Sequence, residues 1–184
     1  MIDLPLSAWF HANQIPLATK LMLFVSLWHS TIGILTMSAV LGLVLYRYGR
    51  TWWLLALALA VPGGMLLNVV VKNLVQRPRP HFADQVLTLP TYSFPSGHTA
   101  GAALFYGFLM ALVCADPGAR RWRWAMAVAA VAMVLLVGLS RIYLGLHYFT
   151  DVAGAIVEAL LWLALCLSGV RALWRRRGGE AVHG

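Results

Sequence analysis

From Thr51 to about Val75 the chain carries a single ionisable side chain, Lys72, in a run long enough to cross a bilayer, for which ~20 apolar residues suffice. In lipid the backbone of such a run must satisfy its own hydrogen bonds, so it has to be helical. Similar runs cover residues 30 to 46, 95 to 115, 124 to 139 and 147 to 173. With 61% hydrophobic and 11% charged residues and a mean hydropathy of +0.77, the chain departs from soluble domains, in which roughly a quarter of residues are charged. The expected fold is all-α: a polytopic membrane bundle of five transmembrane helices preceded by short N-terminal interfacial helices.

Residues 1 to 14 set Leu4, Leu6, Trp9 and Phe10 beside His11, Asn13 and Gln14, which suits the membrane surface. The patch Trp28-His29-Ser30-Thr31 divides the next apolar stretch into a surface-lying or re-entrant helix over 16 to 29 and a first span over 30 to 46. This gives an interfacial segment (1–29), a transmembrane domain (30–173) and a basic cytoplasmic tail (174–184). Pro62-Gly63-Gly64 predicts a kink in the second span. Residues 76 to 94 form a Pro-rich loop, and Pro95 at a first helical position starts the third span, which Asp116-Pro117-Gly118 ends. Cys114 and Cys166 lie in apolar runs and read as packing residues. The N-terminus lacks the basic region and cleavage site of a secretory signal, so the first span is expected to drive insertion.

A net charge of +8 would suggest nucleic acid in a soluble protein. Here the arginines fall in short loops and the tail: Arg47, Arg50, Arg120, Arg121, Arg123, Arg171, Arg175, Arg176 and Arg177. By the positive-inside rule they mark the cytoplasmic side of an inner membrane, and no nucleic-acid partner is implied. The opposite face, toward the periplasm or exterior, keeps Lys72, Arg79, His98, Arg141, His147 and Asp151.

Ionisable groups at membrane depth cost several kcal/mol unless paired or facing a wet cavity. His147 and Asp151 are four apart, which on a helix stacks them on one face; a carboxylate beside an imidazole fixes its tautomer and leaves the other ring nitrogen free as base or nucleophile. The plainer alternative is a satisfied structural pair. For Lys72 and Arg141 it is snorkelling to headgroups, the reading kept for Arg77. His11, His29 and His81 read as interfacial or loop residues, His81 near the site entrance, Gly145 as a turn residue, and Glu158 as a supporting or separately paired acid.

Three stretches occur in order: Lys72 with Arg79-Pro80, Pro95-Ser96-Gly97-His98, and Ser140-Arg141 with His147 and Asp151. They resemble the K-x6-R-P, P-S-G-H and S-R-x5-H-x3-D signature of the type 2 phosphatidic acid phosphatase superfamily, over about residues 50 to 172. The resemblance implies a lipid phosphatase with three catalytic residues: His147 attacks phosphorus, Asp151 orients it, and His98 protonates the leaving oxygen. Lys72, Arg79 and Arg141 would supply three cations for the three equatorial oxygens of a phosphoryl group in flight. Ser96 and Gly97 would add free N–H groups at a helix start, with Gly97 letting the backbone come close. Pro80, Pro95 and Ser140 would support. No metal or other cofactor is implied, since the cations replace it and no acidic cluster suited to Mg²⁺ is present.

The expected substrate is a lipid phosphate or diphosphate entering from the bilayer. An isoprenyl diphosphate such as undecaprenyl diphosphate is favoured; phosphatidylglycerol phosphate, phosphatidate and lipid A phosphates stay open, as does phosphotransfer. The rival classes are a vanadate-dependent haloperoxidase, which in this superfamily is soluble, and a non-catalytic lipid-phosphate binder. No oligomeric state is implied.

Overall fold

The computed structural model describes residues 2–82 and 89–176. Part of the loop expected over 76 to 94, and the tail beyond residue 176, lie outside the described residues. All regular structure among the described residues is helical: α1 (Asp3–Ala12), α2 (Pro16–Trp28), α3 (Thr31–Arg47), α4 (Thr51–Val75), α5 (Gly97–Ala115), a 3-10 turn (Pro117–Trp122), α6 (Arg123–Tyr143) and α7 (Phe149–Arg176).

The segments Thr51–Val75, Gly97–Ala115, Pro117–Tyr143 and Phe149–Arg176 are each long and apolar enough to cross a membrane. Helix α3 covers the stretch expected as the first span, 30 to 46. At 17 residues, α3 is about 26 Å long at 1.5 Å per residue, short of a ~30 Å hydrocarbon core. It reaches span length only together with α2, to which it joins at a 50° bend.

The break is built from polar groups. Ser30 caps α3 by accepting from Gly33 N at 3.2 Å. His29 contacts the Val25 carbonyl through Nδ1 and the Tyr106 hydroxyl through Nε2, both at 2.8 Å. It is therefore a loop residue as expected, but a buried one.

Helix α5 packs against α4, α6 and α7 and, less extensively, α3. Its small residues Ala100, Gly101, Ala102 and Ala103 let these neighbours approach, as is usual where lipid supplies no hydrophobic drive between helices. Leu104, Phe105 and Phe108 fill the centre with Leu57, Val61, Ala159 and Leu163. Gly64 marks a tight crossing: a Cβ there would lie 2.6 Å from Leu104 Cδ1 and 2.7 Å from Trp162 Cδ1. Helix α4 runs from Thr51 to Val75 with Pro62 inside it. Leu66, Val128, Leu161 and Leu165 face outward, as they must where the surrounding solvent is hydrocarbon.

At one end of the bundle α2 lies across the turn after α6, where Phe10, Ala18, Met22 and Leu23 cover Tyr143, Leu144 and Leu146. Gln14 Nε2 donates to the Tyr143 carbonyl at 2.7 Å, and Ile15 N to the Tyr143 hydroxyl at 2.9 Å. The N-terminal helices thus sit directly over the segment that carries His147.

Candidate active site

His147 lies in the turn between α6 and α7, not on a helix. Gly145, at φ +70°, reverses the chain, a conformation that costs glycine little. The Arg141 carbonyl accepts from Leu146 N and His147 N at 3.0 and 3.3 Å. Asp151 then falls in the first turn of α7. The i, i+4 proximity arises across a helix start: His147 Nδ1 is 3.4 Å from Asp151 Oδ2, without the alignment of a direct hydrogen bond.

Asp151 is fully buried and surrounded by donors. Oδ1 accepts from Arg77 Nη1 at 2.7 Å; Oδ2 accepts from Tyr148 N at 2.8 Å and from the Ser93 hydroxyl. A carboxylate bonded on this many sides is held as an anion in one orientation.

On the other side of the imidazole, Arg79 Nη1 is 3.1 Å from His147 Nε2. A guanidinium only donates, so Nε2 presents its lone pair and the ring proton sits on Nδ1, toward Asp151. Arg79 is fixed by its remaining bonds: Nη1 to the Leu146 carbonyl (2.6 Å), Nε to the Thr91 carbonyl (2.7 Å) and Nη2 to the Thr91 hydroxyl (2.9 Å). Burial lowers the Arg79 pKa, with Asp151 opposing. Burial pushes His147 down to about 4; Asp151 works against that shift, and the guanidiniums of Arg79 and Arg141 work with it.

The other expected site residues lie at the same end of the bundle. Lys72 Nζ donates to the Tyr92 and Pro95 carbonyls at 3.0 and 2.7 Å, tying the loop to α4. Arg141, 2% exposed, donates from Nη1 to the Ser26 hydroxyl of α2, while its buried Nε has no hydrogen-bond partner among the described residues. His98, in the first turn of α5, lies within electrostatic reach of Arg141, His147, His29 and Arg79. Ser140 is buried and bonds back to the Val137 carbonyl at 2.6 Å, and Pro80 is buried.

Two expectations for the Pro95-Ser96-Gly97-His98 stretch need correction. The helix begins at Gly97, so Pro95 is not its first residue; the Pro95 carbonyl is drawn to Lys72 instead. The Ser96 N–H is not free for an anion, because it donates to the Asp151 carbonyl at 3.1 Å. The Ser96 hydroxyl accepts from Thr99 Oγ1 at 3.0 Å. At Gly97 a Cβ would lie 3.4 Å from Asn68 Oδ1, an ordinary contact. Asn68 in turn donates to Glu158 Oε2 at 2.7 Å, which gives Glu158 a partner behind the site.

Arg77, assigned above to headgroups, bridges Asp151 and Asp3 at 2.7 and 2.8 Å. The signal for it was scarcity: with 6 acidic against 14 basic residues, an acid in the apolar N-terminal segment needs a specific partner. Ser93, Thr91 and Ser26 carried no such signal.

A family model described as the PAP2 superfamily matches residues 51–175. The chain belongs to the PAP2 superfamily. Phosphatidylglycerophosphatase B of Bacillus subtilis (strain 168) is 36% identical over 129 residues, 70% of this chain and 63% of that protein. Undecaprenyl-diphosphatase BcrC of the same organism is 33% identical over 102 residues, 53% of this chain and 48% of that protein. This PAP2 chain thus spans less than two thirds of either curated relative's length.

Among solved structures, a transmembrane PAP2 type phosphatidylglycerolphosphate phosphatase from Bacillus subtilis superposes with a TM-score of 0.82 at 28% identity, covering 91% of this chain and 84% of that one. Aquifex aeolicus LpxE, at 23% identity and a TM-score of 0.72 over 91% of this chain and 96% of its own, shares the fold. The all-α membrane architecture read from the sequence is therefore that of the PAP2 membrane proteins. Asp3 and Ser26 lie outside the residues that the family model matches.

Proposed function

We propose that this PAP2 protein is a membrane lipid phosphatase that removes phosphate from a lipid phosphate or diphosphate without a metal ion. The observation that carries the reading is the Arg79 contact with His147 Nε2, which puts the imidazole lone pair among the cations while Nδ1–H faces Asp151. Nε2 attacks phosphorus and the ester P–O bond breaks; the leaving oxygen takes a proton from His98. Arg79 passes its Nη1–H from Nε2 to an equatorial oxygen as the N–P bond forms. Lys72 and Arg141 bind the other two oxygens, so charge is met where it develops. Water then attacks the phosphohistidine, giving its proton to His98 and releasing inorganic phosphate.

The arginine-bearing loops at residues 47–50 and 116–123 lie at the helix ends opposite the site. The positive-inside rule therefore supports a site facing outward from an inner membrane. Phosphatidylglycerol phosphate is the substrate favoured by the relative that covers more of the chain; an isoprenyl diphosphate, favoured from the sequence, is supported by the second relative.

Purified protein in detergent should release phosphate from one of these lipids in EDTA, and an alkaline quench of a single turnover should trap label on His147. No release from either lipid, or activity that returns only with added divalent metal, would reject the reading. Halide oxidation with peroxide after vanadate loading would point to the haloperoxidase class instead.

A further inference from the structure

Arg77 does more than fasten a loop. Its Nη1 donates to Asp151 Oδ1 at 2.7 Å and to Thr150 Oγ1 at 2.6 Å, and its Nη2 to Asp3 Oδ2 at 2.8 Å. The guanidinium also lies 4.2 Å from the centroid of the Tyr148 ring. These contacts hold both terminal nitrogens of the fork. Asp3 is fixed in turn by Thr150, whose N donates to Oδ1 at 3.1 Å and whose hydroxyl donates to Oδ2 at 2.6 Å. A carboxylate from α1 therefore sits at the N-terminus of α7, where the helix dipole favours it. Two carboxylates share one cation, and the inner one is the partner of His147.

We propose that Asp3 and Arg77 are positioning residues of the active site: Asp3 on α1 locks the Arg77 fork, and Arg77 holds the Asp151 carboxylate in the plane that His147 requires. This rests on the phosphatase reading above. It makes the N-terminal helix part of the catalytic apparatus, although α1 lies outside the residues that match the family. In this role both residues act through Asp151, so their loss should slow turnover with little effect on binding. Arg77 matters as a fork: a lysine keeps the charge but cannot span Asp151, Thr150 and Asp3 with a planar set of donors.

The test compares wild type, His147→Ala, Asp3→Asn, Arg77→Gln, Arg77→Lys and the doubles combining Asp3→Asn with each Arg77 variant. Phosphate release from phosphatidylglycerol phosphate and from an isoprenyl diphosphate is measured in detergent micelles, together with thermal unfolding. Asp3→Asn should lower kcat about 10-fold and Arg77→Gln about 100-fold, the range typical for residues that orient a ligand from behind. KM should stay within about 2-fold. Because Asp3 acts through Arg77, Asp3→Asn should add nothing in the Arg77→Gln background, a non-additivity that two independent structural losses would not give. If Arg77→Gln does not fold, the same collapse is expected in the Arg77→Lys background. Full kcat in Asp3→Asn, a loss confined to KM, or additive losses in the double would overturn the inference. Inactive wild type on both lipids would instead reject the phosphatase reading beneath it.

Discussion

Replacing Asp151 with asparagine changes one atom but inverts the local hydrogen-bond code. Both oxygens of Asp151 face donors: Arg77 on Oδ1, and Ser93, Tyr148 N and the nearby His147 Nδ1 on Oδ2. Asparagine offers one acceptor and one donor group. Its oxygen goes to the cation, since charge-assisted bonds are the stronger, so its NH2 meets Tyr148 N–H and His147 Nδ1. The imidazole then moves its proton to Nε2 to accept from that NH2, and Nε2–H confronts the Arg79 guanidinium with no lone pair to offer. The nucleophile is lost by tautomer, with its position unchanged.

A comparable tautomer error in a serine protease triad costs about 10⁴ in kcat. Here we expect Asp151→Asn to lower kcat by about 10³- to 10⁴-fold, about 4 to 5.5 kcal/mol at 1.36 kcal/mol per decade. The unsatisfied Tyr148 N–H adds a stability loss of about 1–3 kcal/mol. The assay is single-turnover phosphate release under saturating lipid, paired with ¹⁵N chemical shifts of His147 in detergent. If Asp151→Asn kept more than a tenth of wild-type kcat, or kept the proton on Nδ1, the tautomer argument would be wrong.

Three further outcomes follow from the same geometry. His98→Ala should lose much more than ~10²-fold on alkyl phosphates, whose leaving oxygen needs a proton, and much less on aryl phosphates, whereas His147→Ala should fail alike on both; the opposite pattern would reverse the two roles. With His147 held near pKa 4 against an ordinary 6.5, the unfolded chain binds a proton in that window that the folded site does not. Stability should therefore rise with pH from about 4 to 6.5, and His147→Gln should flatten that slope of melting temperature against pH; an unchanged slope would contradict the buried neutral ring. Gly64→Ala would press a methyl group into Leu104 and Trp162 and should destabilise the bundle by about 1–3 kcal/mol, read as an earlier thermal transition; a neutral result would mean that α4 is less tightly crossed than described.

The bundle and the pocket were legible in the sequence because both rest on local, repetitive signals. Long runs with few charges can only be membrane helices, and charges that interrupt them at Lys72, Arg79, Arg141, His147 and Asp151 need a common purpose. What escaped were partnerships over long sequence separations. Arg77 lies 74 residues from each of Asp3 and Asp151, and no spacing rule links them. The helix starts were misjudged where tertiary bonds outbid local ones: Pro95 is a good helix opener, but its carbonyl serves Lys72 and the next amide serves Asp151, so α5 begins later. His147 and Asp151 meet as the i, i+4 spacing suggests, yet across the start of α7 rather than within one helix. The polar residues at 28–31 mark the break between α2 and α3 as read, but the contact of His29 with Tyr106, 77 residues away, had no local signal.

The hydrogen bonds of Lys72 and Arg79 to the carbonyls of Thr91, Tyr92, Pro95 and Leu146 have a bearing on the end of the catalytic cycle. A pocket assembled to grip a multiply charged anion would, if its cations were otherwise bare, retain the inorganic phosphate it produces. Here the backbone carries a standing set of partial negative charges within reach of the same donors. As phosphate leaves, each N–H exchanges an oxygen on phosphorus for an oxygen on carbon, so the cations are never stranded. Under the phosphatase reading, this exchange lowers the affinity for the departing anion and so favours its release.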